Sequence, residues 1–129
     1  MPGIHGVHET VLYTAEVGGL AAFYADVVGL TQIEPPDPHS AAFQLEDGNV
    51  LLMFDPSRTS APGRFVPEHG TNGAGHVAFR VEDLDEAAAE LGRHDVEIER
   101  EITWPKGGRS VYFRDPAGNS VEYVEGEIW

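Results

Sequence analysis

The sequence predicts an α+β fold made of two similar βαβββ modules. Strand-like alternation, helical spacing and a hairpin follow one another twice along the 129 residues. Corresponding polar positions recur at one interval: Glu9 lies 67 residues before His76, and Glu16 lies 67 residues before Asp83. Each half also has a Gly-Asn turn. Each half is too short to bury its sheet face alone, so we expect both to share one core in one domain over 1–129.

The first predicted module covers residues 1–55. Its elements, in order, are a strand over 7–16, a helix over 17–30, a short strand over 31–35 and a hairpin from residue 40 to the end of the module. The first strand alternates apolar and polar residues, whereas the helix has apolar side chains at helical spacing and a stop at Gly29. The hairpin turns at 46–49, a Glu-Asp-Gly-Asn stretch typical of tight turns.

Residues 56–73 are rich in Pro, Gly and Ser and show no periodicity, so we expect a linker or loop there. The second predicted module, 74–129, repeats the pattern. Its elements are a strand over 75–81, a helix over 82–94, a strand over 96–104 and a hairpin over 108–129. The helix has acidic residues in its first turn and basic residues at its end, as the helix dipole favours.

Composition excludes several classes of function. Eight Lys and Arg residues stand against 22 Asp and Glu residues, a formal net charge of −14. Such a surface repels phosphate backbones and anionic lipids but attracts metal ions and basic small molecules. Cysteine is absent, which excludes disulfides, thiolate nucleophiles and Cys-type zinc sites. The sequence shows no signal-peptide or membrane-length apolar run, so we expect a cytoplasmic protein without nucleic-acid or membrane partners.

Strand alternation predicts which side chains face away from the helices. In the second module Val77 and Phe79 should pack on the helix, which leaves His76 on the other face. The same rule places Glu9 in the first strand and Glu122 in the last strand on equivalent faces. One imidazole and two carboxylates converging from equivalent strands predict a divalent-metal site with positions left for substrate.

Three segments together resemble the vicinal oxygen chelate superfamily, which includes glyoxalase I, extradiol dioxygenases, fosfomycin-resistance thiol transferases and bleomycin-binding proteins. They are ETVLYTAEVGGLAAFYADVVGL, GHVAFRVEDLDEAAAEL and YFRDPAGNSVEYVE, which span nearly the whole chain. The most specific is FRDPAGNSVE, a hairpin that ends in the last metal ligand of the group. The resemblance implies paired βαβββ modules in a cup-shaped, half-barrel mixed sheet around a metal.

The resemblance also implies a ligand set. His76 and Glu122 match the ligands of the second module, and Glu9 matches the first ligand by its interval to helix one. His8 is the alternative, because many relatives have histidine there; it requires a bulge or a one-residue slip. Glyoxalase I has a fourth ligand, a Glu, where this chain offers only Leu51 or Leu52, which weakens that assignment. A three-ligand site would take Fe, Mn, Ni, Mg or Zn.

Other residues are candidates for substrate contact or catalysis. Tyr112 resembles an active-site tyrosine of some relatives, and Glu122 could alternate between ligand and base. Tyr13, Arg80 and Trp104 are candidate substrate contacts, although each could be purely structural. The remaining histidines are expected to be solvated in loops or at a helix end: His5, His39, His69 and His94.

The sequence thus predicts a divalent-metal-dependent enzyme acting on a small oxygen-chelating substrate, of the lyase, dioxygenase or thiol-transferase type. The alternative is a non-catalytic protein of the bleomycin-resistance type that binds a cationic small molecule, which the charge of −14 suits. Small relatives of this size imply a homodimer, with modules paired side by side or swapped.

Overall fold

The computed structural model describes residues 3, 6–33, 35 and 37–129. The chain divides into two compact units, 1–72 and 73–129, and each contains a four-stranded mixed sheet with a helix against one face. The predicted α+β class with two βαβββ modules is confirmed. Within the described residues, no helix has the length and apolar character needed to cross a membrane.

The first unit has the strand order β1-β4-β3-β2. The strands are β1 (Glu9–Tyr13), β2 (Thr31–Gln32), β3 (Ser40–Gln44) and β4 (Val50–Phe54). Strand β1 runs parallel to β4, and the other pairs are antiparallel. The helix α1 (Val17–Phe23) continues as a π-helical turn, Tyr24–Val28, where the sequence predicts one regular helix. The chain leaves this turn at Gly29, whose φ of 84° suits glycine.

The core of the first unit lies between α1 and one face of its sheet. Leu20 and Tyr24 from the helical segment are fully buried, as are Phe43 and Met53 from the sheet. Leu12 is the buried residue of β1, so Glu9 and Tyr13 lie on the opposite face, as alternation predicts. We call this opposite surface of each sheet the helix-free face.

A one-turn helix, α2 (Pro56–Thr59), lies in the stretch for which the sequence predicts only a linker. The Asp55 side chain accepts a hydrogen bond of 2.9 Å from the Ser57 backbone N–H, and Pro56 occupies the first turn. Both are standard helix-start signals. A helix of four residues is too short to leave a periodic pattern, so the sequence does not predict it.

The second unit has the strand order β5-β8-β7-β6, the same arrangement as the first. Its elements are β5 (His76–Arg80), α3 (Leu84–Arg93), β6 (Arg100–Thr103), β7 (Arg109–Arg114) and β8 (Ser120–Glu125). The Asp83 side chain caps α3 by accepting from the Glu86 backbone N–H at 3.1 Å. Leu84 and Leu91 of this helix are buried, together with Phe113 and Tyr123, whose rings meet edge to face at 4.9 Å.

Candidate functional site

The helix-free face of the second sheet collects the polar residues that the sequence singles out. Strand register places Glu122 beside Ala78 on one side and Tyr112 on the other, while His76 pairs with Ser120. Their neighbours Val121 and Tyr123 point the other way, into the core. The predicted face assignment of His76 and Glu122 agrees with this geometry, and Tyr112 lies on the same face.

His76 and Glu122 form the centre of this cluster. The His76 Nδ1 atom lies 2.9 Å from the Ser120 carbonyl oxygen, and Nε2 lies 3.3 Å from Glu122 Oε1. A carbonyl oxygen can only accept, so Nδ1 carries a proton and donates it. In a neutral imidazole Nε2 then holds a lone pair, and it faces a carboxylate oxygen that also only accepts. A cation is needed between them, either a proton or a metal ion.

The donor set fits a divalent metal. Two atoms bound to one ion at about 2.0–2.2 Å lie about 3 Å apart when they subtend a right angle, close to the observed 3.3 Å. A ligating histidine typically donates its other ring N–H to a carbonyl or carboxylate, and Ser120 supplies that carbonyl. The His76 side chain is 51% exposed, which leaves it accessible to an ion, whereas that of Glu122 is 6% exposed.

Ser110 and Trp104 continue the cluster beneath Glu122. The Ser110 hydroxyl donates to Glu122 Oε2 at 2.6 Å, and the Trp104 indole N–H donates to Ser110 Oγ at 2.8 Å. Trp104 is half-buried, and the sequence predicts only a substrate contact from it. Its indole N–H instead forms part of the polar cluster.

Tyr112 lies next to His76 and Glu122. Its ring is stacked with the His76 ring at a centroid distance of 6.4 Å and an angle of 22°. Burial, followed by the negative charge and hydrogen bonding of Glu122, raises the pKa of the Tyr112 phenol above its ordinary value of 10.0. The phenol therefore stays protonated at neutral pH and can donate a hydrogen bond.

The other two candidate ligands belong to the first unit. Glu9 is exposed on the helix-free face of β1, and His8 precedes the strand, with its carbonyl accepting from the Val50 N–H at 2.9 Å. Across the described part of the chain, no three His, Cys, Asp or Glu side chains form a group able to hold a metal. The structure therefore brings together two of the three predicted ligands, and the choice between Glu9 and His8 stays a prediction.

Comparison with known proteins decides the family. A family model described as the glyoxalase/bleomycin resistance protein/dioxygenase superfamily matches residues 6–123. The chain belongs to this superfamily. It is 37% identical to a lactoylglutathione lyase from Agrobacterium tumefaciens of known structure, with a TM-score of 0.91 and 98% of each chain covered. It is also 31% identical to the uncharacterized protein YaeR of Escherichia coli K12, over 97% of this chain and 99% of that one.

A superfamily member from Nostoc punctiforme, a glyoxalase/dioxygenase of known structure, is 26% identical with a TM-score of 0.71, covering 95% of this chain and 92% of that one. These matches confirm the resemblance stated from the sequence.

Strand register shows which leucine lies at the first-unit position equivalent to Glu122. In the second unit Glu122 is flanked by Ala78 and Tyr112, and in the first unit Leu52 is flanked in the same way by Val11 and Ala42. Leu51 points into the core and is 1% exposed. Leu52 is therefore the first-unit counterpart of Glu122, and this member of the superfamily has an apolar side chain there.

Tyr13 has a partner that the sequence did not indicate. Its hydroxyl is hydrogen-bonded to Nδ1 of His69, and the His69 ring also packs edge-on against Phe54 at 5.6 Å. His69 is exposed in a loop, as the sequence predicts, and it also anchors the segment after α2 to the helix-free face of the first sheet. The two residues lie 56 positions apart in a stretch without periodicity, so no local signal pointed to the contact.

The sequence also makes predictions for Arg80 and His5. Arg80 ends β5 on the same face as His76, four residues away, which is about 13 Å along a strand. It is exposed, so its role as a substrate contact stays a prediction. His5 lies outside the described residues. Alternation along the strands does not predict the hydrogen bond between Ser110 and Glu122.

Proposed function

We propose that the chain is a divalent-metal-dependent enzyme of the lyase type, acting on a small substrate that binds through oxygen atoms. The observation that carries this is the His76–Glu122 pair, in which Nε2 faces a carboxylate oxygen at 3.3 Å while Nδ1 is committed to a backbone carbonyl. Membership of the glyoxalase/bleomycin resistance protein/dioxygenase superfamily supports the same proposal.

His76 and Glu122 would hold the metal together with a third ligand, for which Glu9 is our choice and His8 the alternative. One imidazole and two carboxylates form a hard, anionic donor set that suits Mn, Fe, Ni, Mg or Zn better than copper. The bound ion would supply Lewis-acid stabilisation of negative charge on a substrate oxygen.

The protein side chains would do the proton chemistry. Glu122 is buried, and it would alternate between holding the ion and accepting a proton from a substrate carbon through the oxygen that faces His76. Tyr112, with its raised pKa, would donate a hydrogen bond to the substrate from the neighbouring strand. Tyr13, Arg80 and Trp104 remain proposed substrate contacts, although for Trp104 the hydrogen bond to Ser110 limits this role to its ring face.

The lyase type is preferred over the dioxygenase and thiol-transferase types because of one relative. The protein from Agrobacterium tumefaciens, 37% identical over 98% of both chains, is named a lactoylglutathione lyase. This chain has Leu52 at the position of the fourth metal ligand of glyoxalase I, and a leucine cannot bind a metal, so we do not propose the four-ligand site of glyoxalase I here. We therefore propose lyase chemistry on three protein ligands, with the substrate itself left open.

Metal analysis and turnover test the proposal. The protein is purified without a histidine tag, stripped with a chelator and reloaded separately with Mn, Fe, Ni, Mg or Zn. We expect close to one ion per chain and metal-dependent turnover of lactoylglutathione or a related thioester. His76→Ala should lose both, whereas His94→Ala, at the exposed end of α3, is the matched control and should lose neither. Stoichiometric metal binding in His76→Ala contradicts the proposed site.

The bleomycin-resistance type of function is the second candidate, and the net charge of −14 favours it. It predicts tight binding of a cationic drug such as bleomycin to chelator-treated protein, without turnover. Calorimetric titration of wild type and His76→Ala separates the two functions. Equal drug affinity in both proteins, together with no bound metal, would support the binding protein and contradict the enzyme.

We also propose that the chain is a homodimer, as small members of the superfamily imply. Sedimentation equilibrium should give twice the chain mass of 14.0 kDa. A monomer at micromolar concentration contradicts this proposal but leaves the metal site testable as above.

A further inference from the structure

The hydrogen bonds below Glu122 have a fixed direction. The Trp104 indole N–H can only donate, so Ser110 Oγ accepts from it at 2.8 Å. A hydroxyl has one proton, and Ser110 is buried, 1% exposed, with Glu122 Oε2 at 2.6 Å. That separation is typical of a hydroxyl donating to an ionised carboxylate. The order of donation is therefore Trp104 to Ser110 to Glu122.

Tyr112 is a neighbour that could compete for the Ser110 proton, since its phenol lies beside both Ser110 and Glu122. A carboxylate is the stronger acceptor, and the neutral phenol can itself donate. Ser110 still has a second lone pair for such a donor. The presence of Tyr112 is thus compatible with the direction given above.

We propose that Ser110 and Trp104 are positioning residues that occupy Glu122 Oε2 and leave Oε1 alone directed at His76 Nε2. This inference rests on the proposed metal function. It means that Glu122 would hold an ion through one oxygen, because the other is bonded to the serine hydroxyl in a buried position. A carboxylate bound through one oxygen occupies one coordination position instead of two, which leaves an additional position for an oxygen of the substrate.

The first unit provides an internal comparison. Ser40 of β3 pairs with Phe54 as Ser110 of β7 pairs with Val124, so the two serines hold equivalent positions. The neighbouring site position is Leu52 in the first unit, and no carboxylate is there to be positioned. Removing the Ser40 hydroxyl is therefore a matched control for removing that of Ser110.

The experiment measures Mn²⁺ affinity of the metal-free full chain by the electron paramagnetic resonance signal of the free ion. Ser110→Ala should weaken binding about 10–100-fold, the usual effect of losing a hydrogen-bond partner of a ligand. Trp104→Phe should weaken it several-fold. Ser40→Ala and Trp129→Phe, the latter at a 91% exposed position, should bind as wild type.

The double variant decides whether Trp104 acts through Ser110. The indole N–H is bonded to the Ser110 hydroxyl, and that hydroxyl is bonded to Glu122, so Trp104→Phe should cause no further loss in the Ser110→Ala background. Additive losses would show that Trp104 contributes through packing and would overturn its positioning role. Wild-type affinity in Ser110→Ala would overturn the role of Ser110.

A measurement without metal separates the inference from the proposed function. In nitrogen–proton spectra the Trp104 indole proton should exchange slowly with water and become fast in Ser110→Ala, while the Trp129 signal stays unchanged. Fast exchange in wild type overturns the inference. If the wild-type chain binds no divalent ion, the metal function is refuted, and so is the ligating role of Glu122. If the Ser110→Ala variant binds the ion with wild-type affinity, only the inference is refuted.

Discussion

Glu122→Gln tests whether the His76–Glu122 pair is a metal half-site or a structural ion pair. In the metal-free protein the wild-type carboxylate presents Oε1 to a lone pair of His76 when the imidazole is neutral. A glutamine keeps an oxygen for the Ser110 hydroxyl and turns an N–H toward Nε2, so both polar contacts become favourable. The substitution also removes a charge from a side chain that is 6% exposed.

The expected change in stability follows from these contacts. A new hydrogen bond contributes about 0.5–1.5 kcal/mol, and removing the repulsion between the carboxylate oxygen and the lone pair of His76 Nε2 adds a contribution of similar size. We expect Glu122→Gln to raise the free energy of unfolding of the metal-free protein by about 1–2 kcal/mol, which is about 3–6 °C in melting temperature for a chain of this length. A structural ion pair predicts the opposite sign, because removing one partner leaves the other unpaired.

Metal should reverse the order of stability. At about 100-fold excess over its dissociation constant, a divalent ion raises the free energy of unfolding of wild type by about 2.7 kcal/mol. A variant that cannot bind the ion gains no stability from it. The assay is urea unfolding at pH 8, above the ordinary titration range of imidazole, with chelator and then with Mn²⁺. Glu101→Gln removes a charge at an exposed position of β6 and should stay within about 0.5 kcal/mol of wild type. A Glu122→Gln protein less stable than wild type in chelator would refute the reasoning.

Three further predictions concern the remaining site residues. His76→Ala should carry less than about a tenth of the wild-type metal by elemental analysis, and full metal content would exclude His76 as a ligand. Glu9→Gln should weaken Mn²⁺ binding about tenfold or more while His8→Ala leaves it unchanged; the reverse pattern assigns the ligand to His8. Tyr13→Phe removes the hydroxyl bonded to His69, so trypsin should cut within 56–72 several-fold faster, and an unchanged rate would show that this contact does not hold the segment.

The features that could be predicted from the sequence are those that rest on period-two alternation and turn chemistry. The sequence predicts one face for His76 and Glu122 because their neighbours in each strand are apolar, and the register confirms that face. The Asp, Gly and Asn residues at 46–49 and the Gly-Asn pair of the second half predict the two hairpin turns. Each of these signals is local, so the chain itself displays it.

The features that were missed depend on contacts between distant residues or on elements too short to be periodic. The His69–Tyr13 bond closes 56 positions, and nothing in the composition of the segment identifies its partner. The Trp104 indole reaches Ser110 because the chain reverses between the two residues. At this reversal the backbone N–H of Trp104 donates to the Gly108 carbonyl at 2.8 Å. Alternation gives the face of a side chain but not its hydrogen-bond partner.

The duplicated framework shows which residues the fold itself does not require. Leu52 and Ala42 occupy in the first sheet the positions that Glu122 and Tyr112 occupy in the second, and both sheets have the same strand order. An apolar side chain is thus sufficient for the architecture. A buried glutamate costs several kcal/mol unless it is paired and hydrogen-bonded, as Glu122 is. A residue that is costly to bury and unnecessary for the fold is best explained by a function, and its position opposite His76 Nε2 makes metal binding the function to test first.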